Sequence, residues 1–261
     1  MKIYFCDVKE AYCLIFHHYI IRSAFQAIVD VDGNIIGYEA LARICLRDSG
    51  LVVRPDVFFS ILKNNDESQD LLFLINRLHL CSYRSSKFFK KYHKIFLNLT
   101  PDFFERLSDF PRIIVNVNKM LKEFDIPLTN VVAEVTESSA VCEGKLARGA
   151  KLISEYGYIL ALDDYGDEAS DFERYKMCHP EIVKISRDFF LSHKASGSYI
   201  NFKALIDAFK GYGSKVLVEG VELQDDHKVL LSLGVDYFQG FFFHKPECVS
   251  PCVLVKGAVF H

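Results

Sequence analysis

The stretch Val131–Ile185, VVAEVTESSAVCEGKLARGAKLISEYGYILALDDYGDEASDFERYKMCHPEIVKI, decides the fold. It holds three short β-prone runs, Val131–Thr136, Ile159–Leu162 and Ile182–Ile185, and between the first two Ala147–Tyr156 repeats its apolar residues at helical spacing. Strands that alternate with helices imply a parallel sheet built from crossover units. The pattern extends in both directions. Ile95–Leu99 lies upstream, and Val216–Val218 and Tyr237–Phe238 lie downstream. Leu71–Tyr83, with Leu71, Leu74, Ile75, Leu78 and Cys81 at helical spacing, Phe202–Phe209 and the shorter His227–Leu233 supply further helices. Ahead of them, Ala24–Asp30 and Ile35–Ala42 flank the turn signal Asp32-Gly33-Asn34 and read as a β-hairpin. The apolar residues Tyr12, Leu14, Ile15, Phe16, Tyr19 and Ile20 form a lead-in, helix or strand. About 240 residues of this pattern make an α/β fold of the (β/α)8 TIM-like barrel type the leading expectation. A doubly wound open sheet is the alternative, weakened because no GxGxxG follows the first strand.

No low-complexity linker divides the chain, so residues 1–261 are expected to form a single domain: a lead-in over 1–23, a barrel over 24–246 and a C-terminal segment over 247–261. Half of the residues are hydrophobic and 25% are charged, which suits a globular core and excludes wholesale disorder. The 31 basic and 34 acidic side chains leave a formal charge of −3, and hence no general pull on a nucleic acid polymer or an anionic membrane. An anionic substrate would have to be held locally, by metal or by single basic residues. The eight cysteines, Cys6, Cys13, Cys45, Cys81, Cys142, Cys178, Cys248 and Cys252, contain no CxxC pair. The amino terminus lacks an apolar signal region, and no run of about 18 uncharged apolar residues could span a membrane. A cytoplasmic protein with reduced cysteines packed as small hydrophobes is expected.

The informative feature is where polar residues fall. Glu39 sits in the second hairpin strand, Asn98 in Phe-Leu-Asn-Leu-Thr, and Glu134 in Ala-Glu-Val-Thr-Glu with Glu137 just after it. Asp163 and Asp164 close Leu-Ala-Leu-Asp-Asp, Lys184 lies in Val-Lys-Ile-Ser, Glu219 ends Val-Leu-Val-Glu with Glu222 behind it, and Gln239 ends Tyr-Phe-Gln. In a barrel the carboxy-terminal strand ends converge on one mouth. Any one acid there is ordinarily a helix cap or a solvated rim residue, and Asp163-Asp164-Tyr165-Gly166 alone could be a turn. Their coincidence at successive strand ends argues for a site. Clustered carboxylates repel unless cations neutralise them. All-oxygen donors with one amide favour Mg²⁺ or Mn²⁺ over zinc, and only His244 closely follows a strand end. Adjacent aspartates can bridge two ions, the arrangement used for phosphoester hydrolysis. Lys184 would orient water or offset charge. The pattern alone leaves open any metal-dependent barrel phosphodiesterase.

These segments resemble those of the EAL domain family of bacterial cyclic-di-GMP phosphodiesterases. The resemblance runs from about Phe25 to Pro246. Phe25-Gln26-Ala27-Ile28-Val29-Asp30 with Gly37-Tyr38-Glu39-Ala40-Leu41-Ala42-Arg43 is similar to the signature segment. Asn98-Leu99-Thr100-Pro101, Glu134-Val135-Thr136-Glu137-Ser138, Asp163-Asp164-Tyr165-Gly166, Val183-Lys184-Ile185, Val218-Glu219-Gly220-Val221-Glu222 and Gln239-Gly240 with Lys245-Pro246 follow in order. The resemblance implies a barrel whose first strand is antiparallel, with Glu39, Asn98, Glu134 and Asp163 as metal ligands and Asp164 and Glu219 completing the pair of ions. It makes Lys184 the contact to the attacking water, with Glu219 and Asp164 also serving catalysis. Gln26 and Arg43 would meet the substrate's base and phosphate, and Gln239 would lie beside the metals. Glu137 would brace the loop after Asp164, and Glu222 would support.

The implied activity is hydrolysis of cyclic-di-GMP to the linear dinucleotide with two Mg²⁺ or Mn²⁺ ions, by a cytoplasmic standalone homodimer, in a pathway that usually controls biofilm and motility. The alternative is a module that binds the dinucleotide or a protein partner without turnover. Two departures stand out. Glu168 occupies a position where the pattern has glycine, and Lys184-Ile185-Ser186 replaces Lys-Ile-Asp, removing an acid near the lysine.

Overall fold

The computed structural model describes residues 2–6, 11–62, 68–167 and 172–249. Glu168 lies outside these residues. The chain opens with strands β1 (Lys2–Cys6) and β2 (Ala11–Phe16), then the long hairpin β3 (Tyr19–Asp30) and β4 (Ile35–Leu46). It continues with β5 (Val52–Val53), α1 (Pro55–Leu62), α2 (Ser68–Arg84), β6 (Lys94–Leu99), α3 (Pro101–Asp109) and α4 (Ile113–Glu123). Then come β7 (Val131–Val135), α5 (Glu143–Glu155), β8 (Ile159–Tyr165), α6 (Phe172–Cys178), β9 (Ile182–Ile185), α7 (Arg187–Ser196) and α8 (Tyr199–Gly211). The last elements are β10 (Lys215–Val218), α9 (Gln224–Ser232), β11 (Tyr237–Gln239) and β12 (Glu247–Cys248).

Eight of the strands close a barrel in the order β3, β4, β6, β7, β8, β9, β10, β11, and the β3–β11 pairing seals it. Strands β4 and β6 through β11 run parallel, whereas β3 is antiparallel to both of its neighbours. The expected TIM-like barrel with an antiparallel first strand is the fold observed. The hairpin turn works as its sequence suggests: Asp30 Oδ1 accepts from the backbone N–H groups of Asp32 and Asn34, at 3.0 and 2.8 Å, and Gly33 takes a left-handed φ of 79°. The apolar lead-in proves to be strand: β1 and β2 extend the sheet beyond β3, which itself begins at Tyr19.

Alternation along the strands builds two layers. One face of the barrel strands, including Ile95, Leu97, Val131, Ala133, Leu160, Leu162, Val183, Val216 and Phe238, packs outward under the helices. The other face begins inside the barrel with a plug of Ile28, Phe96, Val132, Ala161, Ile182 and Leu217. Helices α2 and α8 contain the stretches read as helical from spacing, and α5 and α9 cover theirs to within one residue at the C-terminal end. Helix α4 was not legible, because it starts Ile-Ile-Val and β-branched runs favour strand. Helix α6 has only seven residues, too few for a clear period.

Helices α3 and α5 approach so closely that a Cβ at Gly149 would lie 2.0 Å from the Phe104 carbonyl oxygen. Gly149→Ala should therefore destabilise the protein by about 1–3 kcal/mol through overpacking, although alanine is the better helix former by about 1 kcal/mol. Urea unfolding checks the sign.

Candidate active site

The polar layer follows from the plug. Two residues beyond Phe96, Val132, Ala161, Ile182, Leu217 and Tyr237 stand Asn98, Glu134, Asp163, Lys184, Glu219 and Gln239. Strand β3 runs the opposite way, so its member, Gln26, lies two residues before Ile28. Each strand thus carries an apolar residue in the plug and a polar one above it, at the mouth. Register adds Glu39, which faces Gln26 across the hairpin. The mouth encloses a cavity of about 470 Å³ lined by Gln26, Glu39, Asn98, Asp163, Lys184 and Glu219, among others.

Lys184 is 1% exposed. Its Nζ donates to Asp163 Oδ1 at 2.6 Å and makes ion pairs with Glu134 Oε1 at 2.7 Å and Glu219 Oε1 at 2.6 Å. Glu39 Oε1 is 3.9 Å away. Glu39 is held by two amides: Asn98 Nδ2 donates to Oε1 at 3.0 Å and Gln239 Nε2 to Oε2 at 2.7 Å. Gln239 Nε2 also reaches Gln26 Oε1 at 3.2 Å, and Gln26 Nε2 donates to the His244 carbonyl at 3.0 Å.

Asp163 and Asp164 share the mouth because β8 breaks its alternation. Neighbours in a regular strand point to opposite faces. Here the register with β9 shifts between Leu162 and Tyr165, and Asp164 adopts φ 46°, the left-handed region that aspartate tolerates better than most residues. Both aspartates line the cavity as a result. The next residue, Gly166, has φ 103° and sits so near α7 that a Cβ would meet the Phe189 ring at 2.2 Å. The loop is tied down by Ser186, the N-cap of α7, whose Oγ donates to Asp167 Oδ1 at 2.9 Å. Ser186 thus keeps the loop tied to α7, with the carboxylate of the pair at Asp167.

Five carboxylates, Glu39, Glu134, Asp163, Asp164 and Glu219, crowd one ammonium. Burial, together with neighbouring carboxylates, raises Glu134, Asp163 and Glu219 above the ordinary carboxylate range, against the opposing pull of Lys184. Asp164 is pushed up to about 7 by burial and then by Asp163. Burial lowers Lys184, but Asp163, Glu134, Glu219 and Glu39 overcome it and hold the ammonium charged. Among the described residues, Glu134 Oε1 and Glu219 Oε1 meet only the Lys184 ammonium, and the buried Glu134 Oε2 accepts no hydrogen bond. Oxygen donors left with spare lone pairs and excess negative charge fit a hard divalent cation. Glu137, expected only to brace the loop, brings a carboxylate oxygen within 4.8 Å of Asp163 and Asp164 oxygens.

Two expected site residues do not line the cavity: Glu134, fully buried against Lys184, and Arg43. Arg43 stands beyond Leu41 on β4, and its Nη1 donates to the Ala42 carbonyl at 2.9 Å. Glu222 lines the mouth in a 3.0 Å ion pair with Arg187. The sequence reading missed Arg187, Thr136 and Phe241, which also line the cavity. Their signal was proximity: each lies within three residues of a strand-end polar group.

Asp164 supplies a pH prediction for chelator-treated protein. Its folded pKa, about 7, exceeds its unfolded value, so the native state binds the extra proton and loses stability as pH rises from about 4 to about 7. Asp164→Asn removes that loss and still suits the left-handed backbone. Its melting temperature should gain on the wild type between pH 5 and 8. The comparison cancels buried His79, whose pKa, lowered to about 3 by burial, is common to both proteins. Saturating Mn²⁺ should stabilise the wild type more than the variant, which lacks one of the carboxylates.

Residues 15–246 match the family described as "EAL domain". The chain is 25% identical over 235 residues to the cyclic di-GMP phosphodiesterase PdeF of Escherichia coli, covering 88% of this chain and 30% of PdeF. It is 24% identical over 228 residues to the cyclic di-GMP phosphodiesterase RocR of Pseudomonas aeruginosa, covering 86% of this chain and 57% of RocR. The chain thus spans less than a third of the length of the first curated relatives, PdeF among them. Among solved structures, a standalone EAL protein from Vibrio cholerae in its c-di-GMP-bound form superposes with a TM-score of 0.74 at 21% identity, over 88% of this chain and 93% of that one. The Klebsiella pneumoniae BlrP1 manganese and cyclic-di-GMP complex gives 0.72 at 22% identity, over 88% and 56%. The barrel, its ordered strand-end residues and the match over most of the sequence place this chain in the EAL domain family.

Proposed function

We propose that the protein hydrolyses cyclic-di-GMP to the linear dinucleotide with the help of divalent cations, two Mg²⁺ or Mn²⁺ ions. The observation that carries this reading is the charged Lys184 inside a ring of carboxylates that outnumber it, with Glu134 Oε2 buried and without a hydrogen bond among the described residues. The names of the relatives as cyclic di-GMP phosphodiesterases support the substrate. Glu39, Asn98, Glu134, Asp163, Asp164 and Glu219 would hold the cations. Bound there, the ions would supply an acidified water and charge stabilisation for phosphoester cleavage.

The chain's own residues do the rest. Asn98 and Gln239 hold Glu39 in one orientation, and the Gln239–Gln26 pair carries that order to the side of the mouth where a base could be read. Lys184 keeps the carboxylates from repelling one another, and once cations take over their oxygens one of its three donors would be released to an attacking water. Arg187 at the rim, and Arg43 after a change of rotamer, are the cations able to meet phosphate oxygens. We also place the protein in the cytoplasm as a homodimer. Burial lifts the free Cys178 thiol to about 12, as suits a packing residue, and the cytoplasmic and dimer readings rest on the sequence and the family resemblance. Among the described residues no helix is long and apolar enough to cross a membrane.

Purified protein with cyclic-di-GMP should release the linear dinucleotide in Mg²⁺ or Mn²⁺ and none in chelator, as read by chromatography. Glu39→Ala and Lys184→Met should each lower kcat by about 10³-fold or more. Tight dinucleotide binding by calorimetry without product in either metal would overturn hydrolysis in favour of a binding module.

A further inference from the structure

Arg174, on α6, is the largest of the fully buried side chains, at 1% exposure. Its Nη1 donates to the Ser138 carbonyl at 2.9 Å, with longer approaches to the carbonyls of Glu137 at 3.4 Å and Thr136 at 3.5 Å. Its Nη2 donates to Glu143 Oε1 at 2.7 Å, at the start of α5. Three consecutive carbonyls of the loop that leaves β7 therefore converge on one guanidinium, and this loop carries Glu137. The loop has left the β-ladder, so these carbonyls need partners from elsewhere. Glu137, for its part, approaches Asp163 and Asp164 closely enough for one oxygen of each to lie within 4.8 Å of the others. Like charges gathered so tightly push one another apart. A fixed backbone helps to keep Glu137 there.

We propose that Arg174 is a positioning residue: by clamping the backbone of residues 136–138 it holds the Glu137 carboxylate against the Asp163–Asp164 pair, where it faces the cation those aspartates bind. The proposal rests on the cation reading given above. Arg174 lies on the helix that follows the Asp163–Asp164 loop, so the clamp ties the loop after β8 to the loop after β7. The fork geometry of guanidinium matters. One nitrogen serves the carbonyls while the other engages Glu143, a division that a lysine ammonium cannot reproduce.

The test is Mn²⁺ binding to substrate-free protein, measured by calorimetry on the wild type, Arg174→Met, Arg174→Lys, Glu137→Gln and the Arg174→Met/Glu137→Gln double variant. Arg174→Met should weaken Mn²⁺ binding about 10-fold, the size typical of an orienting contact behind a ligand, and Arg174→Lys should recover part of that loss. In the Glu137→Gln background Arg174→Met should have no further effect, which general loosening of the fold would not produce. Should Arg174→Met fail to fold, Glu143→Gln leaves the arginine in place, frees its far end, and should weaken binding by a smaller factor that also vanishes in the Glu137→Gln background. Wild-type affinity in Arg174→Met, or losses that multiply in the double variant, would overturn the proposal alone. A wild type that binds no Mn²⁺ would overturn the cation reading and the proposal with it.

Discussion

The structure depends on one buried ammonium. Lys184 sits at the centre of the barrel mouth, within 2.7 Å of oxygens from Glu134, Asp163 and Glu219. Those partners come from β7, β8 and the end of β10, so one lysine on β9 joins four neighbouring strands through charge. A charge so deep is tolerable only when paired, and paired acids are tolerable only when their excess is neutralised. One ammonium cannot neutralise five carboxylates. The remaining negative charge makes the mouth a place for cations, and bound cations would turn it into a place for an anionic substrate. A chain with a formal charge of −3 can in this way bind a dinucleotide without a basic surface.

How much of this was legible in the sequence has a geometric explanation. An apolar residue in the plug and a polar residue two positions on is a strand signal and a site signal at once, and six strands carry it, from Phe96 and Asn98 to Tyr237 and Gln239. The helices were less legible where local preference and tertiary role disagree, as in the β-branched start of α4. The site was less legible where function needs a break in regular structure. Asp163 and Asp164 could be read as a pair, but their common direction comes from a bulge and a left-handed Asp164 that no pattern announces. Arg174 gave no signal at all, because its contact to the site runs through the backbone carbonyls of residues 136–138, which no sequence pattern marks.

The departures from the family pattern take on different weights. Ser186 keeps the loop tied to the cap of α7, since Asp167 accepts from its hydroxyl. Arg43, central to the resemblance, lies one alternation above the cavity lining, whereas Arg187 and Phe241 occupy the rim. The carboxylate floor is set by strand parity, and the rim is set by loops that parity does not govern.

The central claim is that the carboxylates around Lys184 hold divalent cations. Anomalous diffraction from crystals soaked in Mn²⁺ tests it most directly. The account predicts manganese peaks within direct coordination distance of Asp163 and of at least two among Glu39, Glu134, Asp164 and Glu219. A mouth without manganese in ion-soaked crystals, with Lys184 still bridging the carboxylates, would contradict it.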